Sequence, residues 1–231
     1  MKCYVLNLAA STERLSAFTA DYPSFLPPFE VWRAKPPEEC DMPEWWRGTP
    51  EFNSNRVNML DVLTACAESG ETFYFFEDDC VFAPDAGRKY ADFMQQVPKD
   101  WEALNLCANH MCSGLYLPEQ ITPDVLRPRL AFNTNALVLR PSGAAKLKKA
   151  LEKPNWPCRH IAEQPLGYAY LDPDFKAYAP WQNFIGQRGC WSELCRRYRA
   201  ERWYNFFMYK EVDGTIRHAP GYYERRDGWP T

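Results

Sequence analysis

The spacing of apolar and polar positions changes several times along the chain, and each change marks an element. Residues 2–8, KCYVLNL, are a short apolar run rich in strand formers. Ser11 then stands at a helix N-cap position with Glu13 in the first turn behind it, which predicts strand, tight loop and helix. FEVWRA, residues 29–34, predicts a second strand. Residues 36–50 read PPEECDMPEWWRGTP. Their prolines and acids forbid regular structure, and Trp45 and Trp46 make the stretch either a lid or a loop pinned to the core.

In residues 55–68, NRVNMLDVLTACAE, the positions Val57, Leu60, Leu63, Thr64 and Ala67 share one helical face, and Gly70 follows as a stop. The chain then runs into TFYFFEDD, an aromatic strand that ends in Glu77, Asp78 and Asp79. Pro84 and Asp85 open a helix ending near Val97, WEALNLC predicts a strand, LAFNTNALVLR (130–140) another, and PSGAAKLKKALEK the helix after it. Strands alternating with helices imply an α/β fold: a single domain with a mostly parallel central sheet flanked by helices. Ligands of such sheets bind beyond the carboxyl ends of the strands, which is where the three acids stand.

Composition narrows the picture. The chain has 231 residues, 46% hydrophobic and 25% charged, enough for one domain with its own core. A net charge of -3 gives no basic field of the kind that marks a general nucleic-acid binder. Every apolar run stops short of the roughly 20 residues of a membrane span, so no transmembrane segment is predicted. MKCYVLNLAAS reads as a first strand and not as a signal peptide, because Asn7 interrupts it and polar STER follows. Nine scattered cysteines predict reduced thiols and a cytoplasmic location. Cys107, His110 and Cys112 lack the spacing of a zinc knuckle and read as buried small residues.

The acids are the main chemical signal. Alternate strand residues share a face, so Glu77 and Asp79 are predicted to point together and Asp78 the other way. Hard oxygen ligands at a sheet edge suit Mg2+ or Mn2+, which would neutralise a departing diphosphate. The competing reading is a solvated acidic cap on the following helix. A second unusual stretch, residues 188–210, crowds Arg188, Arg196, Arg197, Arg199 and Arg202 among Trp191, Tyr198, Trp203, Tyr204, Phe206 and Phe207. Such a mixture can hold an anionic glycolipid or nucleic acid; the preferred reading is a C-terminal helix docking its aromatics on the core with its arginines toward water.

YVLNLAASTERL, the helix leading into FYFFEDDCVF, and FNTNALVLRPSGAAKL together resemble the family 25 glycosyltransferases, the lipooligosaccharide and collagen galactosyltransferase type. The counterparts are Asn7, Leu8 and Arg14; Glu77, Asp78 and Asp79; and Gly143, Ala144 and Leu147. The resemblance implies a GT-A-like nucleotide-sugar-binding catalytic domain over residues 1–190, with residues 191–231 as an aromatic and basic extension packed on it. It implies a nucleotide-sugar donor, usually a UDP-sugar, and a Mn2+ or Mg2+ ion. Asp79 would be the metal ligand, with Glu77 as a further ligand or with Glu77 or Asp78 reaching the ribose or donor sugar; Asn7, Leu8 and Arg14 would line the nucleotide pocket. His218 in IRHAPG is the C-terminal candidate for another metal ligand.

Two stretches depart from the family. NSNRVNML stands where a Gly-Cys and Ser-His pair is usual, and PCRHIAEQPL stands where an Asp is usual, so Glu163, or else His160, is the candidate base. The function implied is transfer of a sugar to a hydroxyl of a glycan or glycolipid acceptor, such as a lipopolysaccharide precursor. Alternatives are a phage or viral enzyme decorating hydroxylated bases in DNA, a nucleotide- or carbohydrate-binding module without turnover, and a phosphohydrolase using the same carboxylates.

Overall fold

The computed structural model describes residues 1–110, 116–154, 159, 161–192, 197–199, 208–211, 213 and 215–218. The first half runs β1 (Lys2–Asn7), α1 (Thr12–Asp21), β2 (Glu30–Arg33), α2 (Pro50–Ser69), β3 (Phe73–Glu77), β4 (Cys80–Phe82), α3 (Ala86–Gln96) and β5 (Ala103–Asn105). Next come β6 (Asn109–His110), β7 (Glu119–Thr122), β8 (Val125–Arg127), β9 (Ala131–Phe132), β10 (Ala136–Leu139), α4 (Pro141–Glu152), α5 (Glu163–Ala169) and β11 (Ala177–Pro180). The last elements are β12 (Ile185–Gln187), β13 (Cys190–Ser192), β14 (Arg197–Arg199), β15 (Met208–Lys210) and β16 (Ile216–His218).

Ten of these strands form one sheet in the order β16-β15-β7-β8-β11-β5-β10-β3-β1-β2. β1 pairs in parallel with β2 and β3, β11 with β5, and β15 with β7; β10, β8 and β16 run against the rest. The sheet is therefore α/β with most strands pointing one way, as the alternation of elements predicts. Its centre is dry on both faces, which is why β3 is an unbroken aromatic run. Phe73 and Phe75 pack with α2, α4 and α5 on one side, while Tyr74 and Phe76 pack with Phe18 of α1 and Phe93 of α3 on the other. Burying each such ring contributes about 1.5–3 kcal/mol.

Helix α2 begins five residues earlier than its apolar period predicts, because Thr49 caps it, accepting from the Phe52 N–H at 3.4 Å, and Pro50 sits in the first turn. Its buried core face is Met59, Val62, Leu63 and Cys66, with Leu60 and Ala67 only partly buried beside it. That is a rotation away from the predicted face, since the helix is pressed between the sheet and α4 and not laid on the sheet alone. Gly70, at φ +70°, ends the helix as expected. The long loop before α2 is the pinned alternative. Trp46 is buried, its Nε1 donates to the Thr49 carbonyl at 3.3 Å, and the Arg56 guanidinium lies 5.1 Å and 5.6 Å from the Trp45 and Trp46 rings.

Two sequence expectations change. Residues 130–140 are not one strand: β9 and β10 flank the buried polar turn Asn133-Thr134-Asn135, with Asn133 at φ 75°. Within residues 188–210 the described parts are the strands β13, β14 and β15, and no helix occurs among them; aromatic residues favour strands over helices. Arg196, Arg202, Trp203, Tyr204, Phe206 and Phe207 lie outside the described residues, as do Cys112 and His160. Cys3, Cys66, Cys80 and Cys107 are buried free thiols. No helix among the described residues is long and apolar enough to cross a membrane.

The Gly-Ala pair of α4 has a packing reason. A methyl group on Gly143 would stand 2.2 Å from the Glu102 carbonyl oxygen, so the helix approaches the start of β5 only because that position carries no side chain. Gly143→Ala is expected to cost about 2–3 kcal/mol through backbone displacement, read as a fall in thermal midpoint; an unchanged midpoint would show that α4 can back away freely.

Candidate functional site

The parallel register sets the site. Leu6 of β1 lies opposite Glu77 of β3, so both strands finish at the same level. The Asp78 N–H donates to the Leu6 carbonyl at 3.2 Å, and the Glu77 N–H donates to the Asn135 carbonyl at 2.8 Å. Asp78 and Asp79 then turn the chain into β4, which pairs antiparallel with β12 and brings Gln187 opposite Cys80. The three acids find different partners there.

Asp78 is fully buried and forms an ion pair with Arg14 through one oxygen, while Asn7 Nδ2 donates to the other at 2.5 Å. Asn7 Nδ2 also donates to the Ser11 carbonyl at 3.0 Å, which ties the loop after β1 to the same anchor. Burial still pushes the Asp78 carboxyl above its ordinary value, against the pull of Arg14 and Asn7. Arg14 is thus partly buried against Asp78, and both Asp78 oxygens already accept a hydrogen bond from within the protein. Leu8 packs its side chain on the core, and its carbonyl accepts from Ser11 at 2.8 Å. Asn7, Arg14 and Asp78 thus satisfy one another at the end of β1, with Leu8 packed beside them, as burial of polar groups requires.

Asp79 is 7% exposed. Its Oδ2 accepts from Gln187 Nε2 at 2.8 Å, its backbone carbonyl accepts from the Arg188 N–H at 2.6 Å, and its Oδ1 has no hydrogen-bond partner among the described residues. Glu77 accepts from the Thr134 hydroxyl at 3.2 Å. Part of Glu77 still touches solvent, yet its carboxyl is ringed by protein. Burial first, then the charges of Asp79, Glu163 and Asp78, push it up to about 8. Glu163 reaches this cluster from the first turn of α5, which lies against β9 because Gly167 leaves room for the Ala131 carbonyl; a methyl there would stand 2.8 Å from that oxygen.

The strand order does not bring His218 to the acids. Its strand β16 is the far edge of the sheet, with β15, β7, β8, β11, β5 and β10 between it and β3. Cys107 and His110 are both buried, and burial lowers the His110 pKa to about 4, in keeping with a neutral interior ring. Thr134, Asn135 and Gln187 are site residues that the sequence reading missed. The one available signal was three polar residues in a row, FNTN, inside an apolar stretch.

No family model matches the chain. No curated protein matches it either. Among solved structures, A197 from STIV aligns over 94% of both chains at 11% identity with a TM-score of 0.39. A glycosyltransferase involved in glycosylation of the major capsid of PBCV-1 aligns over 79% of this chain and 84% of its own, at 11% identity and a TM-score of 0.44. A putative glucose-1-phosphate thymidylyltransferase from Bacillus anthracis, in complex with a sucrose, aligns over 80% and 69% at 9% identity and a TM-score of 0.35. Likenesses this faint carry no argument about this chain.

The residues fit a divalent ion in one specific sense. No trio of His, Cys, Asp or Glu among the described residues is arranged to hold a metal unaided. Asp79 nevertheless keeps a buried oxygen without a donor, and Mg2+ or Mn2+ is commonly held by one or two protein oxygens, with water and phosphate completing the shell. A cleft of about 620 Å3 lies between the end of α1 and the start of α3, past the end of β4, lined by Asp21, Phe25, Phe82, Pro84, Asp85 and Arg88.

A carboxyl whose pKa is raised on folding keeps its proton in the native state and releases it on unfolding. The Glu77 contribution is therefore full below about pH 4.5 and is lost as pH rises through about 8. In EDTA the chain is expected to lose stability between these limits by up to about 1.4 kcal/mol per pH unit, and Glu77→Gln to flatten that slope. Denaturant midpoints across the range decide it; an identical slope in the variant would assign the effect to another group.

Proposed function

We propose that the chain is a metal-dependent glycosyltransferase that moves a sugar from a nucleotide-diphosphate sugar, a UDP-sugar foremost, to a hydroxyl of a glycan or glycolipid. The reading is carried by the meeting of Glu77, Asp79 and Glu163 at the carboxyl end of β3, with one Asp79 oxygen left without a donor. Unsatisfied polar atoms are rare in folded chains, yet Asp79 Oδ1 and Asn135 Oδ1 both belong to residues bound at the end of β3. Such a concentration supports a ligand site over a solvated helix cap.

In this reading Asp79 holds the ion, which when bound neutralises charge on the departing diphosphate. The Asn7, Asp78 and Arg14 anchor fixes the loop after β1 on which the nucleotide lies, so that binding does not have to order it. Glu77, relieved of the Asp79 repulsion once the ion is bound, accepts a hydrogen bond from a hydroxyl of the donor sugar. Glu163, across from it, takes the proton of the acceptor hydroxyl. His218 has no part, since its strand lies at the other edge of the sheet.

UDP together with Mn2+ is expected to raise the thermal midpoint more than either alone, by the equivalent of about 2.7 kcal/mol at 100 times the dissociation constant. Asp79→Asn is expected to remove the joint effect. A panel of nucleoside diphosphates with Mn2+ and Mg2+ that never stabilises the chain would overturn the proposal, while binding without donor hydrolysis or transfer would select a binding module.

A further inference from the structure

The turn between β9 and β10 holds a second oxygen in the same condition as that of Asp79. Asn135 is 1% exposed, and its Oδ1 has no hydrogen-bond partner among the described residues. The amide nitrogen donates to the Gly186 carbonyl at 3.5 Å. The oxygen is what remains. A buried amide oxygen without a donor is costly, so its retention calls for a partner of positive or donor character.

Three contacts bring Asn135 against the Asp78-Asp79 turn. Its own carbonyl accepts from the Glu77 N–H at 2.8 Å and from the Cys80 thiol at 2.9 Å, and these residues bracket the turn. Gly186 and Gln187, neighbours in β12, hold the Asn135 side chain and the Asp79 side chain respectively. The Cys107 thiol lies against Asn135 and within the field of Asp79. A carboxylate oxygen and a neutral amide oxygen, each missing a donor, thus belong to residues bound to the same turn and the same strand, and no trio of His, Cys, Asp or Glu among the described residues is arranged to hold a metal without help.

We propose that Asn135 Oδ1 and Asp79 Oδ1 are the two protein oxygens of the cation site, Asn135 serving as a neutral ligand. This deepens the metal-dependent reading above and rests on it for the ion. A neutral second ligand has a chemical use. One carboxylate with one amide leaves the Mn2+ or Mg2+ with a net positive charge, so it attracts a diphosphate more strongly than two carboxylates would allow. It also explains why Asn135 is held by its backbone as well as its side chain: a ligand must be fixed before the ion arrives.

Binding of Mn2+ alone, without nucleotide, tests this by loss of the free-ion electron paramagnetic resonance signal. The wild-type chain is expected to bind Mn2+, Asp79→Asn to abolish binding, and Asn135→Ala to weaken it at least tenfold. Asn135→Asp covers the case in which the alanine variant fails to fold. It places two acids together, so its thermal midpoint in EDTA should fall and be restored by Mn2+, with binding as tight as wild type or tighter. Unchanged Mn2+ affinity in Asn135→Ala, or an Asn135→Asp chain that Mn2+ does not restore, would overturn the proposal and leave Asn135 as support for the turn. The outcomes are separable from those of the function: a chain that loses Mn2+ through Asn135 but ignores every nucleotide keeps this inference and discards the glycosyltransferase reading. UDP and Mn2+ stabilisation with unaltered Mn2+ affinity in the variant does the reverse.

Discussion

Negative charge held out of water is the constraint around which this molecule is arranged. Three consecutive acids leave the end of a dry central strand, and each meets a different form of compensation. Asp78 is paired internally with Arg14 and Asn7, the Glu77 carboxyl is pushed up to about 8, and Asp79 is left half-satisfied. Had all three been handled like Asp78, the strand end would be a structural knot and nothing more. The incomplete solution at Asp79 is what sets this strand end apart from such a knot.

The sheet explains how so much polarity can be tolerated there. β10 enters antiparallel between β3 and β5, so its amino end, carrying Thr134 and Asn135, meets the carboxyl end of β3. A parallel neighbour would have presented its own carboxyl end instead. The backbone of Asn135 satisfies Glu77, and its loop supplies hydroxyl and amide groups where the acids emerge. α4 and α5, which follow β10, then close over the same face, each through a glycine pressed on backbone, and the second of them delivers Glu163.

Much of the scaffold could be read from pattern alone, because burial on both sides of a strand or on one side of a helix imposes a period on the residues. The aromatic run of β3, the strand at residues 2–7, the Gly70 stop and the helix after Arg140 all have local causes. The helix face of α2 did not, since its neighbour α4 lies about ninety residues further along and no local period records it. The same holds for the polar residues at the end of β1. Asn7 and Arg14 could be picked as polar groups near a strand end, but whether they face a ligand or an internal acid depends on a contact with a residue more than sixty positions away. Thr134, Asn135 and Gln187 went unread because they matter only through such contacts.

The amino-acid order by itself determined the alternation of layers and the fact that three carboxylates emerge where a buried strand ends, since both follow from local periodicity and the side-chain period of an extended chain. Only the tertiary structure decided which acid is paired internally, which has its pKa pushed up and which is left half-satisfied. That division is made by desolvation and by partners from β1, β10, β12 and α5, and electrostatic energy depends on distance in space, to which sequence separation is no guide.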